Sequence, residues 1–240
     1  MLEQYQPTRI LFLDIETVPA APSFEELSEE EKAFWEKKSS RFRSQEETAA
    51  GVYNRAGIFA EFGRIVCISV GLVTDQGNRY GFRIKSFYGH QEDELLTAFS
   101  RMLEKFGARN DAYLCAHNGR EFDFPFIIRR MLINRLPVPA LLNITGRKPW
   151  EVPFLDTMEL WKFGDYKHYT SLNLLAHLFD IPTPKDDIDG SMVGQVYYEE
   201  NDLSRIVHYC EKDTLAVAQL FLRLRGEGLI DQQDIEYVRD

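Results

Sequence analysis

Short apolar runs alternate along the chain with segments whose apolar residues recur at helical spacing. The short runs are rich in β-branched and aromatic residues and predict five strands. They lie at 9–13, 64–74, 79–88, 112–116 and 153–155. The turn sequence Asp75-Gln76-Gly77-Asn78 separates the second run from the third, so this pair predicts a hairpin.

Helices are predicted where apolar stripes or capping residues mark the chain. The clearest lie at 92–106, 122–132, 170–179 and 202–225. The capping-box pattern Ser23–Glu26 predicts one more, which continues through Trp35. This order of elements predicts an α/β fold with a mixed, mostly five-stranded sheet flanked by helices. No linker divides the sequence, so residues 1–240 are predicted to form one domain with a helical insertion at 19–62.

Composition narrows the classes of function. Apolar residues make up 44% of the chain, charged residues make up 28%, and the net charge is −10. That charge argues against a protein that coats nucleic acid nonspecifically, but it allows an enzyme that handles one strand end. No apolar run approaches the ~20 residues of a membrane helix, and no signal peptide is recognisable. The cysteines Cys67, Cys115 and Cys210 lack metal-site spacing and predict reduced thiols in a cytoplasmic protein.

Carboxylates follow two of the predicted strands. Asp14 and Glu16 are two residues apart at the end of the first strand, so their side chains share a face there. Asp123 lies in the first turn of the helix that follows the strand at 112–116. Each has an ordinary alternative role: a turn cap for Asp14, a solvated side chain for Glu16, and a favourable place in the helix dipole for Asp123.

Asp213 is harder to explain as an ordinary surface residue. It falls on the apolar stripe of the predicted helix at 202–225, and Tyr209 lies one turn earlier on the same side. A buried carboxylate must be protonated, ion-paired or bound to a cation. An ion pair remains the alternative, although no Arg or Lys on this stripe offers one locally.

We call four of these residues the acidic cluster: Asp14, Glu16, Asp123 and Asp213. Four carboxylates brought together repel one another unless cations neutralise them. Oxygen ligands alone suit Mg²⁺ or Mn²⁺ rather than Zn²⁺. Two such ions about 3.5–4 Å apart support in-line displacement at a phosphodiester. The sequence therefore predicts two Mg²⁺ or Mn²⁺ ions as cofactors.

The spacing of these residues resembles three motifs of the DEDD exonuclease superfamily, whose members have an RNase H-like fold. Its Asp-x-Glu motif is similar to Asp14–Glu16, and its second motif is similar to Asn118–Asp123. Its Tyr-x-x-x-Asp motif is similar to Tyr209–Asp213. The sequence most resembles the proofreading exonuclease domain of family B DNA polymerases. The likeness extends over residues 9–222 and excludes the insertion.

The resemblance implies an exonuclease that releases nucleoside 5′-monophosphates from the 3′ end of DNA, from single-stranded or frayed ends. The acidic cluster would hold both ions, with Asp14 between them, and Tyr209 would orient the attacking water. His208 is a competing candidate, because one branch of the superfamily carries His five residues before the last Asp. Helical spacing and the polymerase likeness favour Tyr209. Four residues are expected to contact the substrate: Thr17, Asn118, Phe122 and Lys185.

Two patches of basic and aromatic residues give weaker signals for substrate contact, Tyr166–Tyr169 and Arg147–Trp150. Each is explained at least as well by a solvated loop with a packed aromatic residue. Asp156, after the fifth predicted strand, is expected to cap a helix rather than to join the site. The segment Asp187–Gly190 is expected to form a turn.

The expected partner is a nucleic acid 3′ end, with DNA favoured over RNA and with no membrane involved. A polymerase or repair partner is left unassigned. Two alternatives stay open. The first is an exoribonuclease, because nothing in the sequence identifies a reader of the 2′-hydroxyl. The second is a module that binds a 3′ end without cutting, which the presence of all four carboxylates and Tyr209 disfavours.

Overall fold

The computed structural model describes residues 2–165, 169–182 and 188–239. Within these ranges a six-stranded sheet is covered by helices on both faces. The strands are β1 (Ile10–Pro19), β2 (Gly63–Asp75), β3 (Tyr80–Tyr88), β4 (Tyr113–Ala116), β5 (Phe154–Asp156) and β6 (Ile235–Val238). The helices are α1 (Glu29–Ser39), α2 (Glu92–Gly107), α3 (Asp123–Ile133), α4 (Thr157–Lys162), α5 (Leu172–Leu178), α6 (Val193–Tyr198) and α7 (Leu203–Arg225). No helix in the described ranges is both long and apolar enough to cross a membrane.

The sheet combines antiparallel and parallel pairing. Its strand order is β5-β4-β1-β2-β3-β6. β2 pairs antiparallel with β1 and β3, and its pairing with β3 forms the predicted hairpin. β4 pairs parallel with β1 and β5, and β6 pairs parallel with β3. This mixed sheet confirms the predicted α/β, RNase H-like fold class, with six strands in the described ranges instead of mostly five.

The strand that the sequence pattern missed is β6. Its four residues are half buried or exposed, and they pair with the outer edge of β3 through Phe82 and Ile235. A short edge strand of this kind has neither strong alternation nor a long apolar run. Its formation depends on long-range pairing, which local sequence does not report.

β1 runs through the middle of the sheet and divides its side chains between two apolar layers. Leu13 and Ile15 pack in the layer formed with α2 and α3. Phe12 packs in the opposite layer, which includes residues of α7. Strict alternation therefore directs Asp14 and Glu16 to the face that α7 covers.

The insertion between β1 and β2 forms a small apolar cluster around Trp35, which is fully buried. Trp35 Nε1 donates a hydrogen bond to the carbonyl oxygen of Ala49 at 2.8 Å. Four aromatic rings surround the indole: Phe42, Tyr53, Phe59 and Phe62. The insertion is therefore a packed unit, held against the end of β1.

The predicted start of the first helix at Ser23 is wrong. Phe24–Glu26 forms a single 3-10 turn, and α1 is capped by Ser28, five residues later than Ser23. Ser28 and Glu31 form the capping box, with the Ser28 N–H donating to Glu31 at 2.9 Å. The two sites share the same Ser-x-x-Glu pattern, so local sequence did not distinguish them.

A buried charged group ties the end of the insertion to α2 and α3. The Glu92 carboxylate accepts hydrogen bonds from the Ile65 N–H at 2.7 Å and from Arg130 Nε at 2.9 Å. Arg130 Nη1 in turn donates to the carbonyl oxygen of Ala60 at 2.9 Å. The chain therefore enters β2 in a fixed position relative to both helices.

Candidate active site

Asp14 and Glu16 lie on β1 beside a bulge in β2. Glu16 is opposite Cys67, whereas Thr17 is opposite Ile65, so β2 carries one extra residue at this point. Bulges increase the local twist and change the direction of nearby side chains, and they are common beside active sites. Glu16 is buried and Asp14 is half buried, so both carboxylates are largely withdrawn from water.

Asp123 reaches the same place from the first turn of α3, after a tight turn that follows β4. Asn118 in that turn is left-handed, with φ of +61°. Gly119 leaves no room for a side chain, because an added Cβ would lie 2.4 Å from the Cβ of Ala116. Asp123 itself is 3% exposed. The turn thus places a carboxylate inside the protein at the end of a parallel strand.

Asp156, the last residue of β5, holds this turn in place. Its carboxylate accepts hydrogen bonds from the N–H groups of Asn118 at 2.9 Å and Arg120 at 3.1 Å. It also accepts from the Met158 N–H at 2.9 Å, where it caps α4. The predicted role of Asp156 as a helix cap is confirmed. Its contact with the second motif is a role that sequence reasoning missed, since the two segments are far apart in the chain.

α7 supplies the third part of the site as it packs across β1 and β2. Tyr209 and Asp213 are half buried, whereas the neighbouring His208 is exposed. The helical spacing of four residues puts Tyr209 and Asp213 on one side of α7, as the sequence predicted. The charge of Asp213 acts on the other members of the acidic cluster, as their pKa values show below.

Cys210 connects α7 to β1 and was not among the predicted site residues. Its Sγ donates a hydrogen bond to the backbone oxygen of Asp14 at 3.3 Å. Potential ligand atoms of Asp14, Glu16 and Cys210 all lie within 4.8 Å of one another. The position of Cys210 three residues before Asp213 was the available signal, because that spacing keeps both on the sheet-facing side of a helix.

The members of the acidic cluster raise one another's pKa. Burial, then the charges of Asp123 and Asp213, raise the pKa of Asp14 well above its usual range. Burial, then the charges of Asp14 and Asp213, do the same to the pKa of Glu16. Burial raises the pKa of Asp123 to about 7, although hydrogen bonds from its own N–H and that of Ile15 oppose this. The site therefore favours either bound protons or bound cations.

Three buried side-chain oxygens at the site have no hydrogen-bond partner within the described ranges. They are Oδ2 of Asp14, Oδ1 of Asn118 and Oδ1 of Asp123. Buried oxygens of this kind are costly unless something else pairs with them. Carboxylate and amide oxygens are the ligands that hard divalent cations bind. The donor set and its unpaired oxygens therefore fit Mg²⁺ or Mn²⁺.

Tyr209 stays protonated in this setting. Burial, then the charges of Asp213, Glu16 and Asp14, raise the pKa of Tyr209 above its ordinary value of 10, and a hydrogen bond with Asp213 raises that pKa further. A protonated phenol beside the acidic cluster is a hydrogen-bond donor rather than a base.

Of the residues predicted to contact substrate, the structure describes Thr17, Asn118 and Phe122 but not Lys185. Thr17 and Phe122 are half buried, and each is next in sequence to a member of the acidic cluster. The Phe122 ring packs against Phe126 with a centroid distance of 5.4 Å. Lys185 lies outside the described residues, as do Asp187 and residues 166–168.

The two weaker patches differ in their relation to the site. Tyr169 is 66% exposed, but burial and then the charges of Asp123 and Asp156 raise its pKa, so its hydroxyl lies within reach of the acidic cluster's field. Next to it, the backbone oxygen of Thr170 accepts a hydrogen bond from His117 Nε2 at 2.8 Å. This contact ties the segment to the turn after β4.

The patch Arg147–Trp150 lies before β5, at the end of that strand away from Asp156. Trp150 is 78% exposed, and Lys148 Nζ lies 5.3 Å from its ring centroid. Asp123 follows the C-terminal end of β4, and Asp156 is the C-terminal residue of β5, whereas the patch precedes the N-terminal end of β5. The patch is therefore not part of the carboxylate site. It has the character of a solvated loop, which was the alternative interpretation.

A mixed α/β sheet flanked by helices is consistent with the fold of an RNase H-like exonuclease. The chain belongs to a family described as predicted 3′-5′ exonucleases related to the exonuclease domain of PolB, and the match spans residues 58–238. Asp123, Tyr209 and Asp213 fall within the match, whereas Asp14 and Glu16 precede it. A search of curated proteins found no match.

Proposed function

We propose that this protein is a divalent-metal-dependent 3′→5′ exonuclease that removes nucleoside 5′-monophosphates from DNA. The observation that carries the proposal is the meeting of carboxylates from β1, α3 and α7 in one buried place. Two of their oxygens, on Asp14 and Asp123, lack partners within the described ranges. Membership of the predicted 3′-5′ exonuclease family supports the direction of degradation.

The acidic cluster would hold two Mg²⁺ or Mn²⁺ ions. When bound, such ions supply the Lewis acidity that activates water and stabilises the leaving oxygen of a phosphodiester. After burial, the charge of Asp123 contributes most to the raised pKa of Asp14, and the charge of Asp14 contributes most to the raised pKa of Glu16. Because Asp14 interacts with both carboxylates, it is proposed to bind both ions. Burial by α7 and the bulged β2 excludes bulk water and strengthens the binding of cations there.

Tyr209 is proposed to orient the attacking water. Its hydroxyl keeps its proton throughout the neutral range, because burial and then the neighbouring carboxylates raise its pKa. When cations occupy the carboxylates, the hydroxyl can donate to a water oxygen in place of Asp213, without acting as a base. His208 is exposed on α7 and is proposed to have no part in this step.

Substrate contacts are proposed for residues next to the carboxylates in the chain. Thr17 follows Glu16 directly after the bulge, and Phe122 precedes Asp123 at the start of α3. Asn118, which lies in the turn before Asp123, is proposed to contact the terminal nucleotide. Lys185 is proposed as a further substrate contact on the sequence resemblance alone.

DNA is the proposed substrate because the family is related to the exonuclease domain of PolB. The motifs also resemble those of the DNA polymerase proofreading domain. Competing degradation of matched DNA and RNA strands tests this choice. Faster loss of RNA would replace it with the exoribonuclease alternative.

The direct test is a time course with Mg²⁺ or Mn²⁺ on single- and double-stranded DNA labelled at either end. Mononucleotides should leave from the 3′ end, and 5′-labelled products should shorten stepwise. Asp14→Asn should lower the rate by on the order of a thousandfold. The matched control Asp93→Asn, at an exposed position on α2, should keep wild-type activity. Activity that survives Asp14→Asn would remove the acidic cluster from the mechanism, and no release from any strand would favour the non-cutting module.

A further inference from the structure

The insertion borders an open groove beside the end of β1. The groove has a volume of about 410 Å³ and lies between α1 and the segment that leads into β2. Its lining includes Ala20, Phe34, Lys37, Lys38, Arg41 and Phe62. We call this feature the insertion groove.

Aromatic and basic side chains are mixed in the insertion groove. Phe34 is 56% exposed, although phenylalanine is among the residues most often buried. Tyr53 and Phe62 add two further aromatic groups to the lining, and Lys37 and Arg41 add positive charge. Exposed rings next to cations are the usual means of binding single-stranded nucleic acid, since bases stack on the rings and phosphates meet the cations.

Two cations of the insertion groove differ from two other cations of the same segment in their ion pairing. Two cations outside the groove are ion-paired: Lys32–Glu29 and Arg43–Glu36. Lys37 and Arg41 form no ion pair with any residue that the structure describes. Two carboxylates, Glu31 and Glu61, line the groove against three basic side chains, so the lining keeps a small excess of positive charge. The groove therefore has positive charge available for an anionic partner, in a chain whose net charge is −10.

The position of the insertion groove connects it to the acidic cluster. Ala20 lines the groove and follows Glu16 by four residues, about 13 Å along an extended chain. The Ala20 N–H donates to the Phe62 oxygen at 2.8 Å, and the Ala21 N–H donates to Tyr53 Oη at 3.3 Å. These bonds fix the groove relative to β1. A strand whose 3′ end lies at Glu16 reaches the groove within a few nucleotides.

We propose that the insertion groove binds the single strand on the 5′ side of the 3′ end held at the acidic cluster. This inference rests on the proposed nuclease function. Phe34 stacks on a base, while Lys37 and Arg41 contact phosphates. An acidic peptide would match the charge as well, but the position of the groove beside the strand that carries Asp14 and Glu16 favours a nucleic acid strand.

The test compares two double variants with the same charge change and spacing. Lys37→Glu/Arg41→Glu alters the groove. Arg101→Glu/Lys105→Glu alters exposed residues of α2 and serves as the control. Each protein is given a dinucleotide, too short to reach the groove, and a single strand of about 12 nucleotides. Anisotropy in EDTA measures the Kd of the longer strand without hydrolysis, and Phe34→Ala is measured alongside.

The groove variant should bind the longer strand about tenfold more weakly and with a salt slope reduced by about 1.4, as expected for two lost phosphate contacts. The ratio of kcat/KM for the long strand to that for the dinucleotide should fall about tenfold, and Phe34→Ala should lower this ratio as well. The control variant should keep the wild-type Kd for the longer strand and the wild-type ratio of kcat/KM values. The proposal is overturned if the two double variants bind the longer strand with the same Kd. It is also overturned if the groove variant loses kcat/KM equally on both substrates.

Failure of the nuclease function gives a different result. If wild type degrades neither substrate, the proposed function fails, and the Kd comparison alone decides whether the groove binds a strand. If the groove variant loses affinity for a polyglutamate peptide but not for DNA, the groove binds an acidic partner and the proposal is overturned.

Discussion

The thiol of Cys210 donates a hydrogen bond to the backbone oxygen of Asp14, across 196 residues of sequence. This contact joins α7, which carries Tyr209 and Asp213, to the strand that carries Asp14 and Glu16. Cys210 is fully buried, so its contact with β1 is shielded from water. The bond therefore fixes how far the two halves of the acidic cluster stand apart.

Cys210→Ala should separate this positioning role from ordinary packing. Cys115 on β4 is also fully buried, in the apolar layer that includes Phe12, so Cys115→Ala is the matched control. Both variants should lose about 1–2 kcal/mol of unfolding free energy in urea. Only Cys210→Ala should also lower kcat, by about tenfold or more, because α7 shifts relative to β1. Equal activity in the two variants would show that the contact has no role in alignment.

The metal-free protein should become more stable as pH falls from about 8 to about 5.5. The pKa of Asp123 is about 7 in the folded protein, above its unperturbed value of 3.8. A raised folded-state pKa adds stability that is complete below the unfolded pKa and is lost as pH rises through the folded one. Burial raises the pKa values of Asp14 and Glu16 in the same direction. Burial lowers the pKa of His117, whose effect is opposite but begins only below about pH 6.5.

Differential scanning fluorimetry checks this dependence. In EDTA the Tm should rise on acidification, and Asp123→Asn should reduce the slope. Saturating Mg²⁺ should raise the Tm most at the alkaline end, since cations then bind fully ionised carboxylates. A Tm that falls steadily from pH 8 to pH 5.5 in EDTA would contradict the electrostatic account of the site.

Tyr209→Phe should lower kcat by about a hundredfold with little change in Tm, because only the hydroxyl that orients water is removed. His208→Ala, at the exposed neighbouring position, should retain activity close to wild type. Steady-state hydrolysis of a labelled strand measures both. A larger loss in His208→Ala than in Tyr209→Phe would transfer the role to the histidine.

Arg239→Met should destabilise the fold by about 2 kcal/mol, because Glu211 would remain buried without its counter-charge. Arg239 donates to both carboxylate oxygens of the fully buried Glu211, and Ser86 Oγ donates to one of them at 2.8 Å. The matched control is Arg83→Met, whose ion pair with Glu236 at 2.9 Å is exposed on both sides.

The control should lose no more than about 1 kcal/mol in the same chemical unfolding experiment. Adding Glu211→Gln to Arg239→Met should recover most of the lost stability, since no charge is then buried. If Arg83→Met lowers the free energy of unfolding as much as Arg239→Met does, the burial of Glu211 does not determine the strength of its ion pair with Arg239.

Features written in short stretches of sequence could be predicted. The Asp-x-Glu spacing after an apolar run predicted that Asp14 and Glu16 share one face of a strand. Helical spacing predicted that Tyr209 lies one turn before Asp213 on the same side of a helix. The α/β fold followed from the order of apolar runs and helical stripes. These signals work because strand and helix geometry is local and regular.

Features that depend on distant pairing could not be predicted. Asp156 appeared as a helix cap, but its hydrogen bond to the N–H of Asn118 links residues 38 positions apart. The bulge opposite Glu16 depends on the register between β1 and β2, and Arg239 meets Glu211 only after β6 joins the sheet. None of these contacts leaves a periodic trace in the sequence.

The most direct test of the central claim is a Mn²⁺ titration followed by electron paramagnetic resonance, with a nucleoside 5′-monophosphate present. Wild type should bind two ions per chain, because the acidic cluster is proposed as a two-ion site. Asp14→Asn should lose strong binding of both, since Asp14 is proposed to serve both ions. Equal Mn²⁺ binding by wild type and Asp14→Asn would contradict the account.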